Sequence, residues 1–345
     1  MTEQPLQAAT TEPVNPPAGA SAPVKLVLGL VVAVLLVALP YGARGIGHDS
    51  FVGLMTQVLI YGIAALSLNL ILGYGGMISF GHGAFFGVGA YVVAILYFHH
   101  ADDSAFLNLV PGTDNLLITV PVAMLVAGIL AAVIGAFSLR TGGVQFIMIT
   151  LAFAQMLYFL FVSLKTYGGD DGLMMRRRDV LPFVDIWGDQ TFYYLCLTAA
   201  ALWLGLTALI VRSRFGFVLS GLRQNEKRLA AFGFSPYPYK LAAFVIAGMG
   251  AGLAGALMVN YLRFASPDML HWTKSGELMM MVILGGTGSL FGPLLGAAAI
   301  VLLEAVLTAQ TEHWQLPLGI ILLAVVLFSR GGLAALFRQI GLGRP

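Results

Sequence analysis

The stretch RQNEKRLAAFGFSPYPYK, residues 223–240, is a short basic and amphipathic passage between two long apolar runs, 191–211 and 241–262. Hydrophobic residues make up 59% of the chain and charged residues 10%, and the mean hydropathy is +0.88. These values lie far outside those of soluble domains and are typical of chains that cross a membrane many times. The stretch is therefore predicted to be a loop between two membrane spans.

Apolar runs of about 20 residues, the length that a bilayer requires of a helix, recur along the chain. They predict an all-α polytopic membrane protein with about eight to ten transmembrane helices. The run 275–284, SGELMMMVIL, is only about 15 Å long as a helix, so with the run 293–308 it is predicted to form a broken or half-length helix hairpin. The other predicted spans are 24–40, 51–72, 77–98, 116–137, 144–164, 191–211, 241–262 and 316–328.

Lys and Arg residues in the short loops predict the orientation of the spans. The loop 212–240 is rich in them and is placed in the cytoplasm, and counting spans from it puts both chain termini there as well. The loop 165–190 disobeys the rule, because it is placed outside and yet holds Lys165 and the arginines 176–178, offset by five aspartates.

The chain is predicted to divide into a tail and one domain. Residues 1–23 are rich in Pro, Ala and Thr and should form a disordered N-terminal tail. The apolar run that follows lacks the basic start and cleavage site of a signal peptide and is taken as the first span. Residues 24–345 then form a single transmembrane domain.

Motifs of the common enzyme classes are missing from the sequence. No lysine follows a glycine, so there is no phosphate-binding loop of the GxxxxGK[ST] kind, and this chain is not predicted to hydrolyse ATP. HExxH and GxSxG are absent too, the histidines are scattered, and no metal site is expected. Cys196, the single cysteine, is expected to be an inert core residue. The net charge of +2 is too small to indicate a nucleic-acid partner.

Ionisable residues inside the apolar runs are sparse, and Glu304 is the best candidate for a proton or ion relay. Its predicted position near the end of a span suits interfacial solvation or a hydrogen bond to a neighbouring helix as well. No charged site for the carboxylate and ammonium groups of an amino acid is expected within the membrane. A carrier with neither an ion relay nor an ATP-binding motif needs energy from another protein.

The segment 215–233, FGFVLSGLRQNEKRLAAFG, predicts one short helix at the cytoplasmic face. Gly233 suits a left-handed stop, and Pro236 and Pro238 prevent continuation of that helix. One interpretation is an interfacial helix whose cations attract anionic lipid. The other is a docking helix for a cytoplasmic subunit, seated in a groove through its apolar side and the region of Glu226.

Two glycine-rich blocks resemble each other and are predicted to form related hairpins. A broken helix at membrane depth is tolerated where protein or a water-filled cavity satisfies its backbone, and in transporters such breaks line the substrate path. Close helix packing is the alternative, and it is expected for the glycines 248–255. His82 is expected to hydrogen-bond a neighbouring helix. The predicted hinge or pathway residues are Gly75, Gly76, Ser79, Gly81 and His82 in the first block, and Gly285, Gly286, Gly288, Ser289 and Gly292 in the second.

Several segments, in order, resemble permease subunits of branched-chain amino acid ABC importers of the LivM type. They are LNLILGYGGMISFGHGAFFGVGAY (68–91), FIMITLAFAQM (146–156), YGGDDGL (167–173), GFVLSGLRQNEKRLAAFGFSPYPYKLAAFVIAGMGAGLAGAL (216–257) and SPDM (266–269) with SGELMMMVILGGTGSLFGPLLGA (275–297). The resemblance covers essentially everything from residue 51 onward and implies a type II-like ABC importer permease. It favours the docking helix over the lipid-bound one.

The resemblance also implies the partners and the coupling residues. They are a homologous second permease subunit, two ATP-binding subunits that bind ATP and Mg²⁺, and a periplasmic substrate-binding protein, around a chain without a cofactor of its own in the lipid bilayer of a bacterial inner membrane. The residues implied to couple to the ATPase are Arg223, Asn225, Glu226, Lys227, Arg228, Ala230, Ala231, Gly233 and Lys240.

The arginine triplet of the loop 165–190 departs from the usual short apolar continuation in this family. We expect Asp170, Asp171, Arg176, Arg177 and Arg178 to dock the binding protein, because complementary charges orient such encounters. The alternative is a solvated loop whose aspartates balance its own cations. Urea or short amides are alternative substrates, and a secondary transporter or channel is the alternative from a different class.

Overall fold

The computed structural model describes residues 34, 36–41, 50–106, 110–182, 184–311, 313, 315–328 and 332–333. The predicted tail 1–23 and the basic C-terminus lie outside these residues. The helices that the described residues form are α1 (Ser50–Asn69), α2 (His82–Ala101), α3 (Leu116–Ser138), α4 (Val144–Ser163), α5 (Asp189–Arg212), α6 (Arg214–Gln224), α7 (Glu226–Ala231), α8 (Pro236–Leu262), α9 (Trp272–Gly285), α10 (Gly292–Thr308) and α11 (Gln315–Phe328).

Within the described residues, 6 helical stretches are long and apolar enough to cross a membrane, which confirms the predicted all-α polytopic class. Helix α3 agrees with its predicted span at both ends, and α1 continues through a π-helical turn, Leu70–Tyr74. The predicted span 77–98 is shifted, because α2 starts at His82. Gly76, with φ of +68°, turns the chain out of the helical region before it.

Helix α8 lies at the centre of the bundle, because 72% of its most apolar stretch is buried, compared with 17% for α4 and 22% for α5. Its glycines let the neighbouring helices approach closely. A side-chain carbon at Gly252 would collide with Ala127 of α3, and one at Gly255 would collide with the Phe86 carbonyl of α2. The prediction that these glycines serve helix packing is confirmed, and α4 and α5 lie at the periphery.

Helices α9 and α10 form the predicted hairpin and are 14 and 17 residues long. They approach closely at the turn, where a side-chain carbon at Gly285 would collide with the Gly292 carbonyl. Helix α9 begins at Trp272, earlier than predicted, because the His271 side chain accepts a hydrogen bond from the Thr273 N–H and so caps the helix.

Two short antiparallel β-ladders fasten the connections between helices. The strand Leu173–Met174 pairs with Phe264–Ala265, which attaches the loop between α4 and α5 to the end of α8. The strand Ala105–Phe106 pairs with Val110–Pro111 after α2. Both ladders lie at the same end of the bundle, because α2, α4 and α8 all finish there.

Candidate functional site

The basic stretch forms two helices, where the sequence predicts one. Asn225 leaves the helical region with φ −159° and ψ 98°, and its side chain accepts a hydrogen bond from the Arg228 N–H at 3.0 Å. It therefore ends α6 and caps α7. The predicted stop at Gly233 is confirmed by its left-handed φ of +88°. Pro236 then occupies the first turn of α8, where its missing N–H is tolerated.

Helix α7 projects from the bundle, whereas α6 is anchored in it. Leu219 and Leu222 of α6 are buried, but α7 buries none of its residues. Phe232, which follows α7, is 74% exposed. The Lys240 ammonium lies 2.5 Å from Glu226 Oε2 and ties the start of α7 to α8. We refer to residues 226–234 as the α7 surface. Its exposed members from the predicted coupling set are Glu226, Lys227, Arg228, Ala230, Ala231 and Gly233.

Two glycine-rich breaks interrupt the helices, one at residues 75–81 before α2 and one at residues 286–291 between α9 and α10. Arg223, near the end of α6, reaches from the loop to both of them. Its guanidinium donates a hydrogen bond to the Gly73 carbonyl. Its aliphatic carbons lie against Gly76, where an added side-chain carbon would collide with them, and its guanidinium lies next to Gly288. Gly76 and Gly288 have φ values of +68° and +76°, which glycine tolerates best.

Asn69 joins the two glycine-rich breaks directly. Its Nδ2 donates to the Ser289 carbonyl at 2.9 Å, and its Oδ1 accepts from the Gly288 N–H at 3.0 Å. The side chain is fully buried. We refer to Asn69, Gly73, Arg223, Gly288 and Ser289 together as the glycine junction. Sequence reasoning missed Asn69, whose only signal was an amide side chain within the apolar run LNLIL.

The two breaks also resemble each other because in each of them a serine hydroxyl accepts a hydrogen bond from the N–H of a glycine that follows it. Ser79 Oγ accepts from the Gly81 N–H at 3.2 Å, and Ser289 Oγ accepts from the Gly292 N–H at 2.8 Å. This parallel agrees with the predicted relation between the two blocks, and their role as hinge or pathway stays a prediction. The other predicted glycines lie in the same two segments and are Gly75, Gly285 and Gly286.

A cavity of about 360 Å³ opens between α6 and the first break. The segments 75–78, 141–143 and 222–226 line it together with Lys240. The cavity therefore lies between the first break and the α3–α4 loop, and Arg223 is one of the residues that line it. Among the residues that the structure describes, no group of three His, Cys, Asp or Glu side chains is placed to hold a metal ion.

His82 is fully buried at the start of α2, with its ring edge-on to Phe85 and the centroids 5.9 Å apart. The prediction that it hydrogen-bonds a neighbouring helix is wrong, because neither ring nitrogen has a hydrogen-bond partner among the described residues. Ser275 of α9 makes the connection instead. Its Oγ accepts from the Gly83 N–H at 2.7 Å and donates to the Phe80 carbonyl at 2.6 Å.

The arginines of the loop 165–190 do not form one exposed cluster, contrary to what the docking prediction assumed. Arg178 is buried, and its Nη2 donates to Asp189 Oδ1 at 2.6 Å. Arg177 forms an ion pair with Asp114 at 2.9 Å. Burial removes Arg178 from contact with another protein, whereas the Arg177 side chain is paired and still 44% exposed. The exposed members of the predicted docking set are Asp170, Asp171 and Arg176.

Asp179 fastens the same loop to helices α3 and α8. The Thr119 hydroxyl donates to Asp179 Oδ2 at 2.5 Å, and the Asp179 N–H donates to Asn260 Oδ1 at 2.8 Å. Asp179 is 1% exposed, and this burial raises the pKa of its carboxyl from 3.8 to about 7. The loop is thus fixed to the bundle by a carboxyl group that takes up a proton near neutral pH.

Lys274 of α9 lies near the middle of the span Ser50–Tyr74. Its ammonium is 2.6 Å from Glu277 Oε2 and 3.4 Å from the Tyr61 hydroxyl. The bundle therefore holds one internal ion pair that the sequence analysis did not predict, and because its two charges are paired with each other, the expectation of no charged site for the groups of an amino acid stays a prediction. Sequence reasoning missed this ion pair because the predicted helix began just after Lys274. Glu304, the predicted relay candidate, lies partly buried on α10.

The fold and the site define a multi-pass membrane protein whose long spans enclose two joined glycine-rich breaks and whose loop helix projects from the bundle. The family model for the permease component of branched-chain amino acid transport systems matches residues 50–328. The chain belongs to this family of permease components. As a permease component it is not itself catalytic, which agrees with the missing enzyme motifs.

Curated relatives carry the name of the same system. The chain is 27% identical over 311 residues to the high-affinity branched-chain amino acid transport system permease protein LivM of Salmonella typhimurium strain LT2. It is 28% identical over 311 residues to that of Escherichia coli strain K12, and each match covers 83% of this chain and 70% of the relative. The probable branched-chain amino acid transport permease protein LivM of Methanocaldococcus jannaschii is 28% identical over 289 residues, 76% of this chain and 82% of the relative. No solved structure gives a significant match.

Proposed function

We propose that this chain is the permease subunit of an ATP-driven importer that carries branched-chain amino acids across a bacterial inner membrane. The observation that carries the proposal is the α7 surface, in which an exposed helix with two cations is followed by the exposed Phe232 and Phe234, and whose neighbour α6 reaches two broken helices through Arg223. A helix that only rested on lipid would need no such connection. Family membership supplies the substrate class.

The energy for transport comes from two ATP-binding subunits, which bind ATP and Mg²⁺ and press on the α7 surface. Aromatic and cationic side chains such as Phe232 and Arg228 are the groups that dominate protein interfaces. A homologous second permease subunit completes the translocation path, and both chain termini lie in the cytoplasm. This chain itself holds no cofactor.

Transport then follows alternating access. ATP binding in the partner subunits displaces α6 and α7, and the glycine junction passes the displacement to α1 and α9. Rigid spans thereby open the path first to one side of the membrane and then to the other. The Lys274–Glu277 ion pair is accommodated because it faces the interior of the assembly rather than lipid.

A periplasmic substrate-binding protein delivers the solute to the loop 165–190. The buried Arg178 takes no part in this encounter. Arg176 and the aspartates 170 and 171, which are exposed, orient the binding protein through complementary charges on its surface. Such surface charges act mainly on the association rate, so their effect is largest at low ionic strength.

The test of the proposed function is uptake by proteoliposomes that contain the four-subunit complex. Leucine, isoleucine and valine are expected to accumulate only with binding protein outside and ATP inside. Uptake of urea or acetamide in their place would show that the substrates are urea or short amides. Uptake by this chain alone without ATP would identify a secondary transporter or channel and refute the proposal.

The cytoplasmic position of the α7 surface has its own test. Cys196 is the single cysteine of the chain and is fully buried, so an Ala230→Cys variant carries one accessible thiol. A membrane-impermeant thiol reagent is expected to label it in inside-out vesicles and not in right-side-out vesicles. Binding of the ATP-binding subunits should protect it in both the presence and absence of nucleotide. Labelling from outside would refute the topology.

A further inference from the structure

Asn69 occupies the last position of α1, where the span changes into the π-helical turn Leu70–Tyr74. Such turns are rare and frequently occur at functional sites. Gly73 lies within the turn, and a side-chain carbon there would collide with both the Asn69 amide and the Gly288 N–H. The absence of a side chain at Gly73 therefore provides the space that the Asn69 amide fills.

The Asn69 side chain supplies the hydrogen bonds that the second break cannot make within a helix. It pairs with one backbone donor, the Gly288 N–H, and one backbone acceptor, the Ser289 carbonyl. An unpaired backbone group in such a buried place is strongly unfavourable. The two breaks are thus held in register by one amide group.

Arg223 connects this arrangement to the loop. Its guanidinium bonds the Gly73 carbonyl, within the same turn that the Asn69 amide packs against. The glycine junction thus contains three side-chain-to-backbone hydrogen bonds that join α1, α6 and the turn after α9. Hydrogen bonds of this kind can be exchanged without unfolding a helix, since none of them belongs to a helical ladder.

We propose that Asn69 is a positioning residue for transport. It holds the break after α1 and the break after α9 together, so that a displacement of α6, transmitted by Arg223, moves both breaks as one unit. Without it, movement of the loop would shift one break and leave the other behind. This inference rests on the proposed function, because it requires that partner subunits displace α6 and α7.

The test measures leucine taken up per ATP hydrolysed by the complete complex in proteoliposomes. Asn69→Ala removes both hydrogen bonds of the amide and is expected to lower this ratio about tenfold while ATPase activity stimulated by the binding protein remains. Arg223→Gln should have a similar effect. Arg223→Lys keeps a cationic donor and should recover most of the ratio.

A double variant and a matched control separate positioning from general damage. Because both residues act through one junction, Asn69→Ala combined with Arg223→Gln should lose no more than Asn69→Ala alone. Thr56→Val on α1 also removes a buried side-chain hydrogen bond, from the Thr56 hydroxyl to the Val52 carbonyl. That bond lies within one helix, so the ratio should be unchanged.

Equal losses of uptake and ATPase activity in Asn69→Ala, or losses that multiply in the double variant, would overturn the proposal. If Asn69→Ala does not assemble, the Arg223 variants decide, because Arg223 is exposed overall and its replacement is expected to disturb folding less than the loss of the fully buried Asn69. An unchanged ratio in Arg223→Gln would then overturn it. Failure of the unaltered complex to take up leucine with ATP would instead refute the proposed function.

Discussion

The buried guanidinium of Arg178 donates a hydrogen bond of 2.6 Å to the exposed carboxylate of Asp189, at the end of the loop between α4 and α5. The same guanidinium lies 4.6 Å from the centre of the Phe192 ring and donates to the Trp187 carbonyl. We expect Arg178→Ala to lower the free energy of unfolding by about 3 kcal/mol, because it leaves buried acceptors unpaired. Thermal unfolding in detergent would measure the effect.

Arg176→Ala is the matched control for this change. Arg176 is an exposed neighbour in the same triplet, so its removal should leave stability unchanged within about 0.5 kcal/mol. If docking of the binding protein involves the loop, Arg176→Ala should instead weaken stimulation of ATPase activity at low salt. Equal loss of stability in the two variants would contradict the structural role of Arg178.

Stability is expected to depend on pH through Asp179. Burial raises the pKa of this carboxyl from 3.8 in the unfolded chain to about 7 in the folded protein, so the folded state holds a proton that the unfolded state releases. The resulting stabilisation is fully present below about pH 4 and is lost as the pH rises through about 7. Asp179→Asn cannot ionise and should flatten this dependence. Melting temperatures at pH 5 and pH 8 provide the comparison, and identical differences in the two proteins would disprove the assignment.

Close contact between α2 and α8 predicts opposite outcomes for two Gly→Ala changes. Gly255→Ala would place a carbon against the Phe86 carbonyl and should destabilise the protein by about 2 kcal/mol, as overpacking does. Gly205 of α5 has no atom within 4 Å of the corresponding position, so Gly205→Ala should be neutral or slightly stabilising. Unfolding in detergent measures both. A harmless Gly255→Ala would show that the helices are farther apart.

The α7 surface predicts a specific loss of assembly. Phe232 is 74% exposed and contributes little to folding, but a docked aromatic side chain can account for about 2 kcal/mol of binding. Phe232→Ala should therefore weaken binding of the ATP-binding subunits about 30-fold, measured by titration in nanodiscs. Phe159→Ala is the control, since Phe159 is 65% exposed on α4, far along the chain from the loop helices. Similar weakening in both variants would argue against docking at the α7 surface.

The long spans could be predicted from the sequence because length and hydropathy fix them, as α3 shows. The division of the basic stretch at Asn225 could not, since it depends on whether one side chain caps a helix or continues it. The positions of the glycine breaks were predictable as departures from the helical pattern. Their contact through Asn69 was not, because residues 220 positions apart in the chain meet there.

Charged residues were the least predictable part of the site. Arg178 lies in a run of three arginines that looks uniformly exposed, and its burial depends on acceptors from α8 and from Asp189. Lys274 looked like the end of a loop, but the half-length helix starts before it and brings it to Glu277 and Tyr61. In both cases the compensating partner, which decides whether a charge is tolerated inside a protein, comes from tertiary structure.

The glycine-lined contact between α2 and α8 also limits how the molecule can rearrange. Gly89 lies against the backbone of Gly252, and Gly255 against that of Phe86, so there are no side chains to swing aside and no slack for one helix to slide along the other. These two helices are therefore expected to move as one rigid body. Relative movement is then left to the contacts that this pair makes with the rest of the bundle, which include the glycine junction and the less buried helices α4 and α5.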